Sequence, residues 1–337
     1  MDREQEELQN LGFFGILKES LKIILSWRKV FSQITVTLIL PLSFIFLAHF
    51  QVSQILFFKI LTHEDTLDHT QSNTPYYAKL SDITSSEWIA FWLFKAAYFT
   101  VYLILSLLST SAVVYTVACI YTGKQITYKK VMSVVPKVWK RLMVTFIWSF
   151  AIVLVYNIVA IALLVLWVVF VVPVISTVGI VILVLFLILY FVGIIYIGVV
   201  WHLACVVSVL EEGVYGIQAM KKSRALIKGK MGVGVAFFLM IGVCYVVIEL
   251  LFENLVVLGV VGGLAIRIGI GILCFLLLFK VILFNLVIQT VIYFVCKSYH
   301  HQNIDKSSLA YHLEVYLGEY VPLKENKDVQ LGEVNNV

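Results

Sequence analysis

Sixty-nine consecutive residues, Leu142 to Leu210, contain no Asp, Glu, Lys or Arg. About 20 apolar residues cross a bilayer core as a helix, so this stretch has room for two crossings. Pro173 stands near its middle, where a ring without a backbone donor favours a turn over continued helix. The flanks are basic: Lys137, Lys140 and Arg141 precede the stretch, and Lys221, Lys222, Arg224, Lys228 and Lys230 follow it. Loops rich in Lys and Arg stay on the cytosolic side. The stretch therefore reads as a transmembrane hairpin with both feet in the cytosol. Only 13% of the 337 residues are charged and 61% are hydrophobic, against about a quarter charged in a soluble domain. No segment is long and polar enough to form a soluble enzyme domain beside the membrane part.

The same reasoning extends to the whole chain and predicts an all-α, polytopic transmembrane bundle of six spans. Residues 1–29 form a cytosolic segment with an amphipathic helix, 30–296 a six-span membrane domain, and 297–337 a cytosolic polar tail whose end reads as disordered. The spans fall at about 30–50, 88–121, 142–172, 174–207, 231–252 and 264–296. Residues 51–87 read as the longest outer loop, and a glycine-rich outer turn falls near 259–263. Pro41 inside the first span predicts a kink. The acidic start, Met1 to Glu7, lacks the basic beginning of a cleaved signal peptide. With both termini cytosolic, 20 of the 25 Lys and Arg residues lie on the inner side and only Lys59 and Lys79 on the outer. That placement accounts for the +5 net charge without nucleic acid as a partner.

Short basic, amphipathic segments precede three of the spans. In the first, Phe14, Leu17, Leu21 and Ile24 recur at helical spacing while Lys18, Lys22 and Lys29 share another side. The second carries Val131, Val134, Val135 and Val138 on one face, and the third runs from Gly213 to Lys230. All three are expected to engage anionic lipid at the bilayer surface. The order amphipathic segment, span, outer turn, span then recurs three times, and the outgoing spans end at Cys119, Cys205 and Cys296. Chance similarity among apolar segments is the alternative to a threefold repeat.

The third segment carries a resemblance. Glu211, Gly213, Ala219, Ser223, Leu226 and Gly229 resemble the pattern after a span in the membrane-domain family associated with glycerophosphodiester phosphodiesterases. The stretches Glu6 to Ser20 and Thr37 to Phe44 are similar to a plant family of uncharacterised six-span proteins. The resemblance implies a plant protein of the endoplasmic reticulum or plasma membrane. The phosphodiesterase catalytic barrel is absent from the chain, so its chemistry is not carried over.

Charges inside apolar spans are costly and by default mark a functional site with a partner. Lys95, Glu249, Glu253, Arg267 and Lys280 are such charges, and Lys95, Tyr98, Tyr102, Ser106 and Ser109 form one helical stripe. Two readings follow: a polar path or small-anion site, or a buried ion-pair cluster, with Lys95 and Glu249 as the expected pair. Asn285 and Gln289, one turn apart, are expected to hydrogen-bond between helices. Cys119, Cys205 and Cys296, at inner span ends, are candidate S-acylation sites. No metal-ligand spacing, Walker loop, nucleophile elbow or carboxylate cluster occurs, so neither a cofactor nor an enzymatic activity is expected. The expected function is a non-enzymatic scaffold or regulator of membrane organisation or trafficking. The alternative is a transporter or channel for a small solute along spans 2, 5 and 6.

Overall fold

A computed structural model describes residues 9–70, 74–123, 126–171, 177–259 and 263–300. The turn expected at Pro173, the acidic start, the polar tail and the centre of the glycine-rich turn lie outside them. The described residues are helical, without strands. A surface helix, α1 (Phe13–Ser26), precedes two long helices, α2 (Arg28–Asp68) and α3 (Pro75–Tyr121). The uncharged hairpin is α4 (Tyr128–Val171) and α5 (Thr177–Leu210). A short α6 (Ile217–Leu226) leads to α7 (Met231–Val257) and α8 (Leu264–Tyr299). Among the described residues six of these are long and apolar enough to cross a bilayer: α2, α3, α4, α5, α7 and α8. The protein is a multi-pass membrane protein.

Three expected boundaries move, each for a physical reason. Residues 51–68 and 75–87, expected as loop, are helical, because α2 continues to Asp68 and α3 begins at Pro75. The start of α3 is set by Thr74, whose hydroxyl accepts from the Tyr77 amide at 3.2 Å, with Pro75 in the first turn. The polar residues that suggested a loop instead join the two helices. Glu87 bonds Lys59 at 2.9 Å and His63 at 2.8 Å, and Trp88 Nε1 donates to Glu64 at 2.9 Å. Hydropathy marks where lipid ends, not where a helix ends. The 47 residues of α3 extend about 70 Å, well beyond a bilayer core of about 30 Å.

The basic segment before the third span is likewise part of α4, and its valines are buried against protein rather than laid on a membrane. The three units expected from the repeat therefore differ, since the second has no separate surface helix. At the far end α8 continues through Lys297 to Tyr299, three residues past the expected close of the last span. Pro41 is accommodated by a π-helical turn, Thr35–Ile39, immediately before it, which relieves the carbonyl that its ring would otherwise strike.

Packing is concentrated at the end where the basic residues gather. There Val113–Ile120 of α3, Val206–Leu210 of α5 and Val287–Cys296 of α8 are buried together, with α1 and α6 against them. The most apolar window of α3 is 72% buried, while none of that of α4 is, so α3 is a central helix and α4 faces lipid. Away from the basic end α4 and α5 hold chiefly to each other. Tyr156 OH donates to the Tyr190 carbonyl at 3.1 Å, and Tyr190 OH to Asn157 Oδ1 at 2.9 Å. Gly193 makes this approach possible, because a Cβ there would stand 2.1 Å from the Tyr156 oxygen.

Candidate functional site

Lys95 projects from α3 into its seam with α2. Its ammonium donates to His49 Nε2 at 2.8 Å and Ser53 Oγ at 3.0 Å. The His49 ring lies against Tyr98, with centroids 3.9 Å apart. An ammonium in an apolar span needs acceptors nearby, and α2 supplies them. Tyr102 and Tyr245 line one cavity; Lys95 lies seven residues outward of the first and Glu249 four outward of the second. The expected Lys95–Glu249 pair does not form among the described residues.

The other charges disperse as well. Glu253 sits in a π-helical turn, Phe252–Val257, at the end of α7. Arg267 caps that same end, donating from Nε to the Val256 carbonyl at 3.0 Å and from Nη2 to Val256 and Val257. Lys280 is exposed on the outer side of α8. Lys95, Arg267 and Lys280 thus take separate places, while Tyr98, Tyr102, Glu249 and Glu253 stay within electrostatic reach of one another. Cys119 and Cys296 are buried in the basic-end packing, out of reach of an acylating enzyme, and Cys205 faces inward. Among the described residues no three His, Cys, Asp or Glu gather as metal ligands would.

These contacts predict coupling of Lys95 to His49 rather than to Glu249. Lys95→Met should lower stability in detergent by about 1–3 kcal/mol, because Ser53 and His49 lose their donor. In thermal unfolding, Lys95→Met and His49→Leu should be non-additive, while Lys95→Met and Glu249→Gln should add to within about 0.5 kcal/mol. Recovery of stability in the Lys95/Glu249 double variant would contradict the geometry.

What the six spans do enclose is a cavity of about 390 Å³. His202 lies eight residues from the basic end of α5, and Tyr102 nineteen from that of α3. These two wall residues therefore stand about 12 and 29 Å along their helices from the basic end, at 1.5 Å rise per residue. Its walls combine the rings of Phe46, Phe99, Phe146 and Trp201 with polar groups of Tyr102, Ser106, His202, Tyr245, Asn285 and Gln289. Among the described residues no Asp, Glu, Lys or Arg lines it. Asn285 and Gln289 face this space; the Gln289 side chain also bonds across the seam to His202 of α5, while its amide nitrogen has no hydrogen-bond partner among the described residues. A smaller void of about 30 Å³ adjoins, sharing His202, Asn285 and Gln289.

The surface of the basic end carries a second feature. α1 docks on α8 and α7 through Ile16, Ser20 and Ile23, and Phe13 stacks on Phe237 at 4.3 Å. Phe14, Leu21 and Leu25 lie within about 40° of one another on the opposite side of the helix, at 100° per residue. Phe14 is 79% and Leu25 70% exposed. Lys18 and Lys22 are exposed beside them. The face expected from periodicity is therefore not the one packed on protein. Nearby, Glu211 at the end of α5 is only 8% exposed. It pairs with Lys222 of α6, accepts from Tyr293 OH of α8 at 2.8 Å and lies 3.9 Å from the Lys297 ammonium.

A family model described as Domain of unknown function (DUF8558) matches residues 1–334. The chain belongs to that family. No curated protein and no solved structure matches it. In this DUF8558 chain, sequence reasoning missed His202, Trp201 and Tyr245 as cavity residues, since each is an isolated residue in an apolar helix. Glu211 had a readable signal. An acidic residue at a helix C-terminus opposes the helix dipole and needs cations close by.

Proposed function

We propose that this protein is a non-enzymatic organiser of its membrane, with both termini in the cytosol, that holds anionic lipid at its basic end. The exposed apolar face of α1 carries the reading. Phe13 stacks on Phe237, six residues into α7, so α1 lies on the flank of the bundle rather than beneath it. Six residues correspond to about 9 Å, the depth at which a surface helix enters the headgroup boundary. Phe14, Leu21 and Leu25 would enter the leaflet, while Lys18 and Lys22 meet lipid phosphates. Placement in the endoplasmic reticulum or plasma membrane, both with anionic cytosolic leaflets, accords with this.

The test is lipid analysis of the full-length protein purified in native nanodiscs. Anionic lipid should be enriched over the surrounding membrane. Each lysine contributes about 1 kcal/mol at an anionic surface, so Lys18→Glu with Lys22→Glu should reduce that enrichment at least tenfold. Phe14→Asp with Leu25→Asp should draw the exposed face of α1 out of the leaflet while Ile16 and Ile23 keep the helix docked, read as loss of quenching of a label on that face by brominated lipid. Unchanged enrichment and quenching in both variants would falsify the reading. Transport is the second reading, and the interior cavity is what favours it, but its uncharged lining suits a neutral occupant better than an ion.

A further inference from the structure

We infer that the cavity between the spans is a binding site for an uncharged lipid bearing a hydroxyl or amide headgroup, entered sideways from the bilayer. Its volume of about 390 Å³ falls within the range of small-ligand pockets, about 300–1,000 Å³. The walls have the composition of such a site, with aromatic rings for bulk and a few convergent hydrogen-bonding groups for orientation. Gln289 is 7% exposed; its side chain meets His202, but its amide nitrogen lacks a partner among the described residues. A buried donor left unsatisfied is costly, and a ligand oxygen placed against Gln289 would meet that need. His202 and Asn285 stand beside it.

The absence of charge selects the occupant. A phosphate or carboxylate brought here would find no cation in the lining and would retain its desolvation cost. A hydroxyl or amide needs only the neutral donors and acceptors that are present. The entrance follows from Phe99, which lines the cavity yet is 48% exposed on the lipid-facing side of α3. Its ring lies 6.4 Å from that of Phe146 on α4, and Phe146 lies 6.1 Å from Trp201 on α5. This aromatic row borders a lateral opening through which a headgroup could enter while its hydrocarbon remains partly in the bilayer. The small adjoining void accommodates about one water, which can bridge His202 and Asn285 without filling the larger space.

Photoreactive analogues of a diacylglycerol and of a sterol, applied to the full-length protein in nanodiscs, provide the test, each chased with its unlabelled parent. Labelling should map to the α3 segment 99–110 and the α8 segment 282–289, and phosphatidic acid should not compete. Whichever probe labels identifies the source of the hydroxyl. Gln289→Leu should weaken competition about tenfold through loss of one buried hydrogen bond. Ser106→Phe, which fills the space from the opposite wall, should abolish labelling while the melting temperature shows that the bundle remains folded. Labelling spread over the lipid-facing residues of α4 and α5, insensitive to both variants, would mean annular contact alone and would overturn the proposal. Equal competition by phosphatidic acid, or no labelling by either probe, would overturn it as well.

Discussion

Replacing Glu211 with Ala is expected to destabilise the protein by about 3–5 kcal/mol, the cost of removing one partner from a buried charge cluster. Glu211 closes the uncharged stretch, at a helix end whose dipole disfavours a carboxylate. It is retained there because Lys222, Lys297 and the Tyr293 hydroxyl converge on it from α6 and α8. Without the carboxylate two ammonium groups face one another in a closely packed region, and α6 loses one of its ties to α5, the Ser223 hydroxyl to the Val200 carbonyl remaining. Glu211→Gln keeps an acceptor for Tyr293 but not the charge, so it should cost less than Ala. Adding Lys222→Met to Glu211→Gln should recover part of the loss, whereas Tyr293→Phe should cost about 1 kcal/mol. Thermal unfolding in detergent would measure all four. Equal losses for Glu211→Gln with and without Lys222→Met would show that the charge pairing contributes nothing.

Phe294→Ala should have an effect of similar size, about 3–5 kcal/mol, as expected for an aromatic side chain removed from a filled core. Phe294 is fully buried, its ring centroid 4.5 Å from that of Tyr121 and 5.3 Å from that of Tyr293, where α3 meets α8. Between transmembrane helices such packing is a main source of association, because lipid is as apolar as the side chains. The contrasting variant is Leu163→Ala on α4, which faces lipid and leaves no internal void. It should be nearly neutral in the same thermal assay. A larger loss for Leu163→Ala than for Phe294→Ala would mean that the bundle is not held together at its basic end.

How much was legible in the chain itself differs from residue to residue. The six spans followed from runs of apolar residues, since a helix is the structure that satisfies its own backbone in lipid without partners. The connection between the first two spans was not legible. Lys59, His63, Glu64 and Glu87 look like loop residues in one dimension and bond across a helical hairpin in three. α1 was legible in part. Its periodicity marked Phe14, Leu17, Leu21 and Ile24 as a membrane-facing stripe, and Phe14 and Leu21 are exposed; it did not mark the opposite stripe, where Ile16 and Ile23 flank the small Ser20 and pack on the bundle.

The candidate site was the least legible part. Lys95, Glu249, Glu253, Arg267 and Lys280 stood out because charge in lipid is expensive; Lys95 meets that cost by bonds to α2, Arg267 by capping a helix end and Lys280 by exposure, while Glu249 and Glu253 are half-buried near one another on α7. The cavity is made of residues that carry no warning, such as Phe99, His202, Tyr245 and Gln289, contributed by four different helices. Amino-acid order determines which segments enter the bilayer, because hydrophobic transfer depends on local composition. Which faces of those helices meet, and where they fail to meet, depends on the matching of side-chain shapes between segments far apart in the chain, such as those of Phe46 and Gln289. Only the tertiary structure could decide that.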